Sequence, residues 1–155
     1  ELVETYAAHY LNPNNRHMRL FPDVPPTLER LREAGYWLSV ATGKGRSGLN
    51  QAIAQTGTGD FWLATACASE CPSKPAPDMV WRLCDELGVM PSESIVIGDT
   101  AFDLEMAAHA GARGIGVATG AHSRETLQSA PNIGILSCFG ELEGFLQRQG
   151  SIEAV

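Results

Sequence analysis

Hydrophobic and polar positions follow two spacings along this chain, one typical of buried strands and one typical of amphipathic helices. Short apolar runs predict strands at 36–41, 61–66, 94–97, 114–117 and 133–136. Apolar residues three and four positions apart predict helices at about 25–34, 47–55, 78–87, 102–110, 123–128 and 140–149. Strands that alternate with helices pair in parallel through right-handed crossovers. The pattern therefore predicts a three-layer α/β/α fold around a parallel sheet.

The start of the chain has a different pattern. Leu2, Tyr6 and Tyr10 lie at helical spacing, so residues 1–11 are predicted to form a helix. Asn and Pro residues interrupt the pattern at 12–16, which indicates a linker before the alternating part begins.

Composition narrows the class of protein. With 155 residues the chain can bury one core, and a formal net charge of −7 argues against nucleic acid or an anionic membrane as partner. No apolar stretch is long enough to span a bilayer. The four cysteines match no zinc-binding spacing and are expected to be reduced thiols of a cytoplasmic protein. The four histidines share no motif, and we expect structural roles for them.

Two carboxylates follow the strand predicted at 94–97. Asp99 comes directly after Gly98, and Asp103 lies four residues later, where a helix begins. Parallel strands present such residues at the carboxyl edge of the sheet, so both acids should face one crevice. Carboxylates this close repel each other unless a cation compensates their charge, which suggests a Mg²⁺ site.

Two further segments carry candidate phosphate ligands. Thr42 ends a predicted strand, and its hydroxyl and the backbone N–H groups of Gly43 and Lys44 are well placed to donate to phosphate oxygens. Lys74 lies beside Pro75 in a proline-rich loop, which can aim its ammonium at a charged centre.

The loop after the first predicted strand permits another interpretation. Gly43, Gly45 and Gly48 fit the G-x-G-x-x-G pattern, and Glu70 follows near the end of the next strand. Together they form an acceptable fingerprint of a nucleotide- or dinucleotide-binding Rossmann module. This alternative leaves Lys74 and the two aspartates unexplained.

Taken in order, three segments resemble the motifs of the haloacid dehalogenase-like phosphohydrolase superfamily. They are Ala41-Thr42-Gly43-Lys44, Lys74 with its neighbouring prolines, and Gly98-Asp99-Thr100-Ala101-Phe102-Asp103. The closest subgroup is phosphoglycolate-phosphatase-like, and the resemblance covers roughly residues 18–140. It implies a Rossmann-like core over 18–155, with 1–17 as the last helix of a helical cap domain plus a linker.

The resemblance also implies a chemistry. An aspartate would attack phosphorus and form an aspartyl-phosphate, and a second aspartate would serve as acid and base. Thr42 and Lys74 would be the catalytic residues in this chain, and together with Gly43 and Lys44 would bind the substrate phosphate. Asp99 and Asp103 would hold Mg²⁺ against a small phosphorylated substrate.

One motif of that family is missing from the sequence. No two of the six aspartates are arranged as Asp-x-Asp after an apolar strand. We therefore expect a truncated, inactive phosphatase core that lacks its central nucleophile strand, or alternatively a non-catalytic phosphate- or metal-binding remnant. The missing strand would separate 36–41 from 94–97, and the orphaned backbone groups should leave a gap, be re-paired, or favour self-association through exposed sheet edges.

Overall fold

The computed structural model describes residues 3–6 and 20–153. These residues build one parallel sheet with the strand order β3-β2-β1-β4-β5-β6. The strands are β1 Val3–Tyr6, β2 Trp37–Thr42, β3 Trp62–Cys67, β4 Ser94–Gly98, β5 Arg113–Val117 and β6 Gly134–Leu136. The helices are α1 Val24–Glu33, α2 Arg46–Thr56, α3 Asp78–Leu87, α4 Ala101–Ala110, α5 Arg124–Gln128 and α6 Leu142–Glu153.

The predicted three-layer architecture is confirmed. One face of the sheet buries the side chains of α1 and α6 against alternate residues such as Ile95 and Ile97. The opposite face buries α3 and α4 against the intervening residues, among them Val96 and Ala41. This alternation explains why β4 is continuously apolar from Ile95 to Ile97, since both of its faces are buried.

Local signals fix the ends of the helices that border the site. Gly88 and Gly111 follow α3 and α4 with φ of 71° and 85°, the left-handed conformation that glycine adopts without strain. Thr100 caps the start of α4, because its side chain accepts a hydrogen bond from the backbone N–H of Asp103. These signals set where α3 and α4 end and where α4 begins.

The helix predicted over 1–11 is wrong where the structure describes it. Residues 3–6 form β1, which pairs in parallel with β2 on one side and with β4 on the other. The family resemblance had implied a missing strand between β2 and β4, with a gap, re-pairing or self-association as the expected outcomes, and β1 occupies that position. Strands with open edges have unpaired backbone N–H and C=O groups. Pairing these groups of β2 and β4 with β1 therefore stabilises the strand conformation of residues 3–6 more than the helical spacing of apolar residues favours a helix.

The pairing of the central strand β1 is described up to Tyr6, which lies beside Val40 of β2 and Ile97 of β4. Thr42 of β2 and Gly98 of β4 lie further towards the carboxyl edge of the sheet. Residues 7–19 lie outside the described part of the chain, so the proposed boundary between a cap remnant and the core at residue 17 stays a prediction.

Candidate active site

Asp103 lies at the centre of the polar cluster at the carboxyl edge. It belongs to the first turn of α4 and is fully buried. Its Oδ2 accepts hydrogen bonds from the backbone N–H of Thr100 at 3.1 Å and from the Thr100 hydroxyl at 2.8 Å. A buried carboxylate requires such donors, because burial without partners costs several kcal/mol, on the order of the desolvation of the charge.

The ammonium of Lys74 completes the surroundings of Asp103. Lys74 Nζ lies 2.6 Å from Asp103 Oδ1, and only 9% of the lysine side chain is exposed. The loop between β3 and α3 thus brings its lysine to the acid that follows β4. Charge-assisted bonds of this length in a buried place are stronger than those between neutral groups.

Asp99 is held by a different segment, the turn that follows β5. The Asp99 Oδ2 accepts the backbone N–H of Ala121 at 3.2 Å, and the Asp99 carbonyl accepts the N–H of His122 at 3.1 Å. Gly120 is packed so closely that a Cβ there would lie 2.5 Å from Asp99 Cβ. The turn therefore fixes this carboxylate, and Asp99 is only 3% exposed.

His122 is a residue of the site that sequence reasoning missed. Its Nδ1 accepts the backbone N–H of Ala101 at 2.9 Å, so the turn after β5 is also fastened to the start of α4. The ring packs edge-to-face on Phe102, with 5.7 Å between centroids. The one signal in the sequence that could have identified His122 is its position shortly after the strand that ends at Val117.

Thr42 lies at the same edge, at the end of β2. It is 1% exposed, and its Oγ1 accepts the backbone N–H of Lys44 at 3.2 Å, which folds Gly43 into a tight turn. Two strand spacings separate β2 from β4, so these two strands lie roughly 10 Å apart in the sheet. The structure places Thr42, Lys74 and both aspartates at this edge, and it joins Lys74 and Asp103 in direct contact.

The donor chemistry at this edge fits Mg²⁺. This ion typically takes one or two carboxylates and completes its shell with water and substrate phosphate. Asp103 Oδ2 already accepts two bonds, whereas Asp103 Oδ1 accepts one, from Lys74. Each carboxylate oxygen offers two acceptor positions, so Asp103 retains capacity through Oδ1. Across the described residues, no three His, Cys, Asp or Glu side chains cluster as a complete metal site.

The structure gives Glu70 a role that differs from the dinucleotide alternative. Its carboxylate accepts the Cys67 thiol at 2.8 Å, Arg46 Nε at 2.8 Å and Arg82 Nη2 at 3.1 Å. These bonds connect α2 and α3 around the edge strand β3, and both carboxylate oxygens of Glu70 take part in them. The contacts therefore give Glu70 a structural role that needs no dinucleotide.

Replacing Glu70 by Gln should reduce stability at neutral pH more than in acid. The thiol of Cys67 and the guanidinium groups of Arg46 and Arg82 hold the pKa of Glu70 below its ordinary value of 4.5. Its stabilising contribution is therefore complete above pH 4.5 and is lost as the pH falls through the lower, folded-state pKa. We expect the melting temperatures of the wild type and Glu70→Gln to converge on acidification.

The matched control for that measurement is Glu86→Gln, which removes the charge of an exposed acid on α3. Its difference from the wild type should change little over the same pH range. A Glu70→Gln difference that stays constant down to pH 3 would contradict the assigned role of the three donors.

The fold and the site define a class of protein, and comparison with known proteins identifies it. Residues 1–118 match the family model of the haloacid dehalogenase-like hydrolases. The chain therefore belongs to this family, as its motifs had suggested. Among the described residues, none of the helices has the length and apolar character that crossing a membrane requires.

Individual relatives agree with this assignment. The chain is 30% identical over 130 residues to pyrophosphatase PpaX of Bacillus velezensis, covering 83% of this chain and 60% of that protein. It is 30% identical over 115 residues to a phosphoglycolate phosphatase of Aquifex aeolicus, covering 73% and 54%. A crystal structure described as a predicted phosphoglycolate phosphatase of Haemophilus somnus superposes with a TM-score of 0.77 at 26% identity, covering 83% and 57%. The chain thus spans little more than half the length of these relatives.

Proposed function

We propose that this chain forms most of the active site of a Mg²⁺-dependent phosphoric monoester hydrolase that acts through an aspartyl-phosphate. The observation that carries the proposal is the buried contact of 2.6 Å between Lys74 and Asp103 beside Asp99 at the sheet edge. A fixed ammonium next to two buried carboxylates is an arrangement suited to a phosphoryl group and its counter-ion.

Each residue has a distinct part in this proposal. Thr42, through its hydroxyl, and the backbone N–H of Gly43 would bind the phosphoryl oxygens from the β2 side, while the Lys44 N–H that the sequence had also suggested donates to Thr42 Oγ1. Lys74 would offset the negative charge that the phosphoryl group brings to a site already containing two carboxylates. Asp99, with Asp103 through Oδ1, would hold Mg²⁺. When bound, the ion would supply charge stabilisation to the phosphate and its attacking group.

The attacking aspartate is not among the residues of this chain. None of the six aspartates lies in an Asp-x-Asp pair, and the central strand β1 has the sequence Val-Glu-Thr-Tyr. We therefore propose that the chain alone binds phosphate but does not hydrolyse its esters, because positioning groups remain without a nucleophile. The names of its relatives and the net charge of −7 favour a small phosphorylated substrate over nucleic acid.

Calorimetric titration of inorganic phosphate tests this proposal. Phosphate should bind in the presence of Mg²⁺ and bind at least about tenfold more weakly without it, since the ion would otherwise balance the buried carboxylates. Asp99→Asn should weaken Mg²⁺-dependent binding by a similar factor. Asp85→Asn, which removes an exposed acid on α3, is the matched control and should leave the affinity unchanged.

Hydrolysis of p-nitrophenyl phosphate is measured on the same proteins. The expected result is no turnover above a blank. Turnover that Asp99→Asn abolishes would show that another residue of this chain attacks phosphorus, which would overturn the assigned mechanism. Absence of phosphate binding would overturn the assignment of the site itself.

A further inference from the structure

The position of Lys74 depends on a loop rather than on a regular element. Lys74 belongs to the segment between β3 and α3, and its head reaches Asp103 on a neighbouring helix. A lysine side chain is flexible, with a large rotamer entropy, so the backbone from which it extends must be fixed if the ammonium is to stay in place. The bonds that hold this backbone therefore decide how well the ammonium is aimed.

His109 makes such a bond. Its Nδ1 lies 2.9 Å from the carbonyl oxygen of Pro75, the residue that directly follows Lys74. A carbonyl oxygen can only accept, so Nδ1 is the donor and carries the proton. The neutral Nδ1–H form and the doubly protonated ring both retain that proton, and the contact persists in either state. His109 itself is exposed, so core packing does not explain its position.

One helix thus contacts two successive residues of the loop. Asp103 in the first turn of α4 binds the Lys74 ammonium, and His109 in the last turn binds the Pro75 carbonyl. Six residues along a helix correspond to about 9 Å. The loop is therefore bonded to α4 near both ends of that helix.

We infer that His109 is a positioning residue for Lys74: it fixes the base of the side chain on α4, so that the ammonium reaches the site. Loss of the His109 donor removes the bond to the Pro75 carbonyl, and the Lys74–Asp103 contact then lacks that support. The contact then opens more often, and Lys74 becomes exposed to solvent. The positioning stands independently of the proposed function, whereas its consequence for phosphate depends on that function.

Two substitutions of His109 separate positioning from helix stability. Asn has a side-chain N–H₂ near the place of Nδ1 but is a poor helix former, whereas Ala has no donor and is the best helix former. If His109 merely supports α4, His109→Ala should be the milder change. If it positions Lys74, His109→Asn should preserve the wild-type behaviour and His109→Ala should not.

Competitive labelling of lysines with trace acetic anhydride, followed by mass spectrometry, measures the opening directly. Lys44 and Lys74 are the two lysines of the chain, so Lys44 serves as the internal reference. We expect His109→Ala to raise the Lys74-to-Lys44 labelling ratio about fivefold, the change in open population that loss of one ordinary hydrogen bond gives. His109→Asn should stay within about twofold of the wild type, because it retains the donor.

Trp81→Phe is the control for general loosening between α3 and α4. Trp81 is half-exposed, and its Nε1 donates to the carbonyl of Ala110 at 3.1 Å, next to His109 but away from the lysine loop. Its labelling ratio should match the wild type. An unchanged ratio in His109→Ala, an equal rise in His109→Asn, or an equal rise in Trp81→Phe would each overturn the inference.

The affinity for inorganic phosphate with Mg²⁺ gives a second readout. His109→Ala should weaken binding severalfold, and His109→Asn should restore it. Wild-type protein that fails to bind phosphate would refute the proposed function, and the labelling ratios would still decide the role of His109. If all variants bind phosphate with equal affinity although the labelling ratio of His109→Ala is raised, the positioning of Lys74 by His109 does not contribute to phosphate binding.

Discussion

Replacing Lys74 by Met is expected to lower the free energy of unfolding by about 3–5 kcal/mol, the usual effect of removing one partner from a buried ion pair. Asp103 is fully buried, and the 2.6 Å contact with Lys74 provides its compensating charge. Without the ammonium, the carboxylate must stay ionised with the Thr100 donors alone or take up a proton. Urea denaturation in a buffer with chelator measures the loss, since the chelator keeps metal ions from replacing the ammonium.

The double variant Lys74→Met with Asp103→Asn is the control. An amide in place of Asp103 has no charge to compensate, so the double variant should be more stable than Lys74→Met alone. The coupling between the two sites follows from the double-mutant cycle. If Lys74→Met costs less than about 1 kcal/mol, the pair behaves as an exposed salt bridge and its central place in the site is contradicted.

Most of the fold was predictable because its signals are local. Every element predicted between 25 and 136 occurs, with each end within one residue of the prediction. Glycines after α3 and α4 and the Thr100 cap before α4 mark those ends directly in the sequence. The strand order was also predicted in part. β2 and β4 were expected to be separated by another strand, and in the structure they do not pair with each other.

The strand β1 could not be predicted from its own residues. Its segment has apolar residues at helical spacing, and a Glu and a Thr stand within the strand. A central parallel strand is normally a continuous apolar run. What decides the conformation is the pairing demand of β2 and β4, which are distant in the sequence. Because β2 and β4 are distant in the sequence, their need for a pairing partner cannot be seen in the hydrophobic periodicity of the segment that forms β1.

The candidate site was predictable in its residues but less in its contacts. Thr42 ends β2, Asp99 directly follows β4, and Asp103 lies in the first turn of the next helix, so the parallel sheet brings them to one edge. The partner of Lys74 depends on the path of the loop after β3, which no periodicity describes. The sequence predicted that the Lys74 ammonium points at a charged group, and in the structure this group is the carboxylate of Asp103. The contacts of His109 with Pro75 and of Glu70 with Arg46 were not predicted, because these partners lie 34 and 24 residues away in the sequence.

Gly98→Ala is expected to be the second large change, with a loss of about 1–3 kcal/mol or more in the free energy of unfolding, as for other overpacked sites. Gly98 ends β4 and directly underlies the first turn of α4. A Cβ at this position would overlap Cβ and Cγ of Asp103, which lie at the base of that side chain. The steric overlap can therefore be removed only by a shift of α4 itself, because rotation of the end of the Asp103 side chain does not move its Cβ. Urea denaturation measures the loss.

Gly48→Ala, in the first turns of α2, is expected to change the free energy of unfolding in the opposite direction. Its new Cβ would meet Lys44 Cβ at 3.8 Å, an ordinary contact, and a helical alanine is more stable than a helical glycine by about 1 kcal/mol. We therefore expect Gly48→Ala to stabilise the chain and Gly98→Ala to destabilise it. Because Gly98→Ala acts through Asp103, its effect should combine less than additively with that of Lys74→Met. Full additivity of those two changes would show that close packing at Gly98 and the ion pair are independent, which contradicts a site built around one fixed carboxylate.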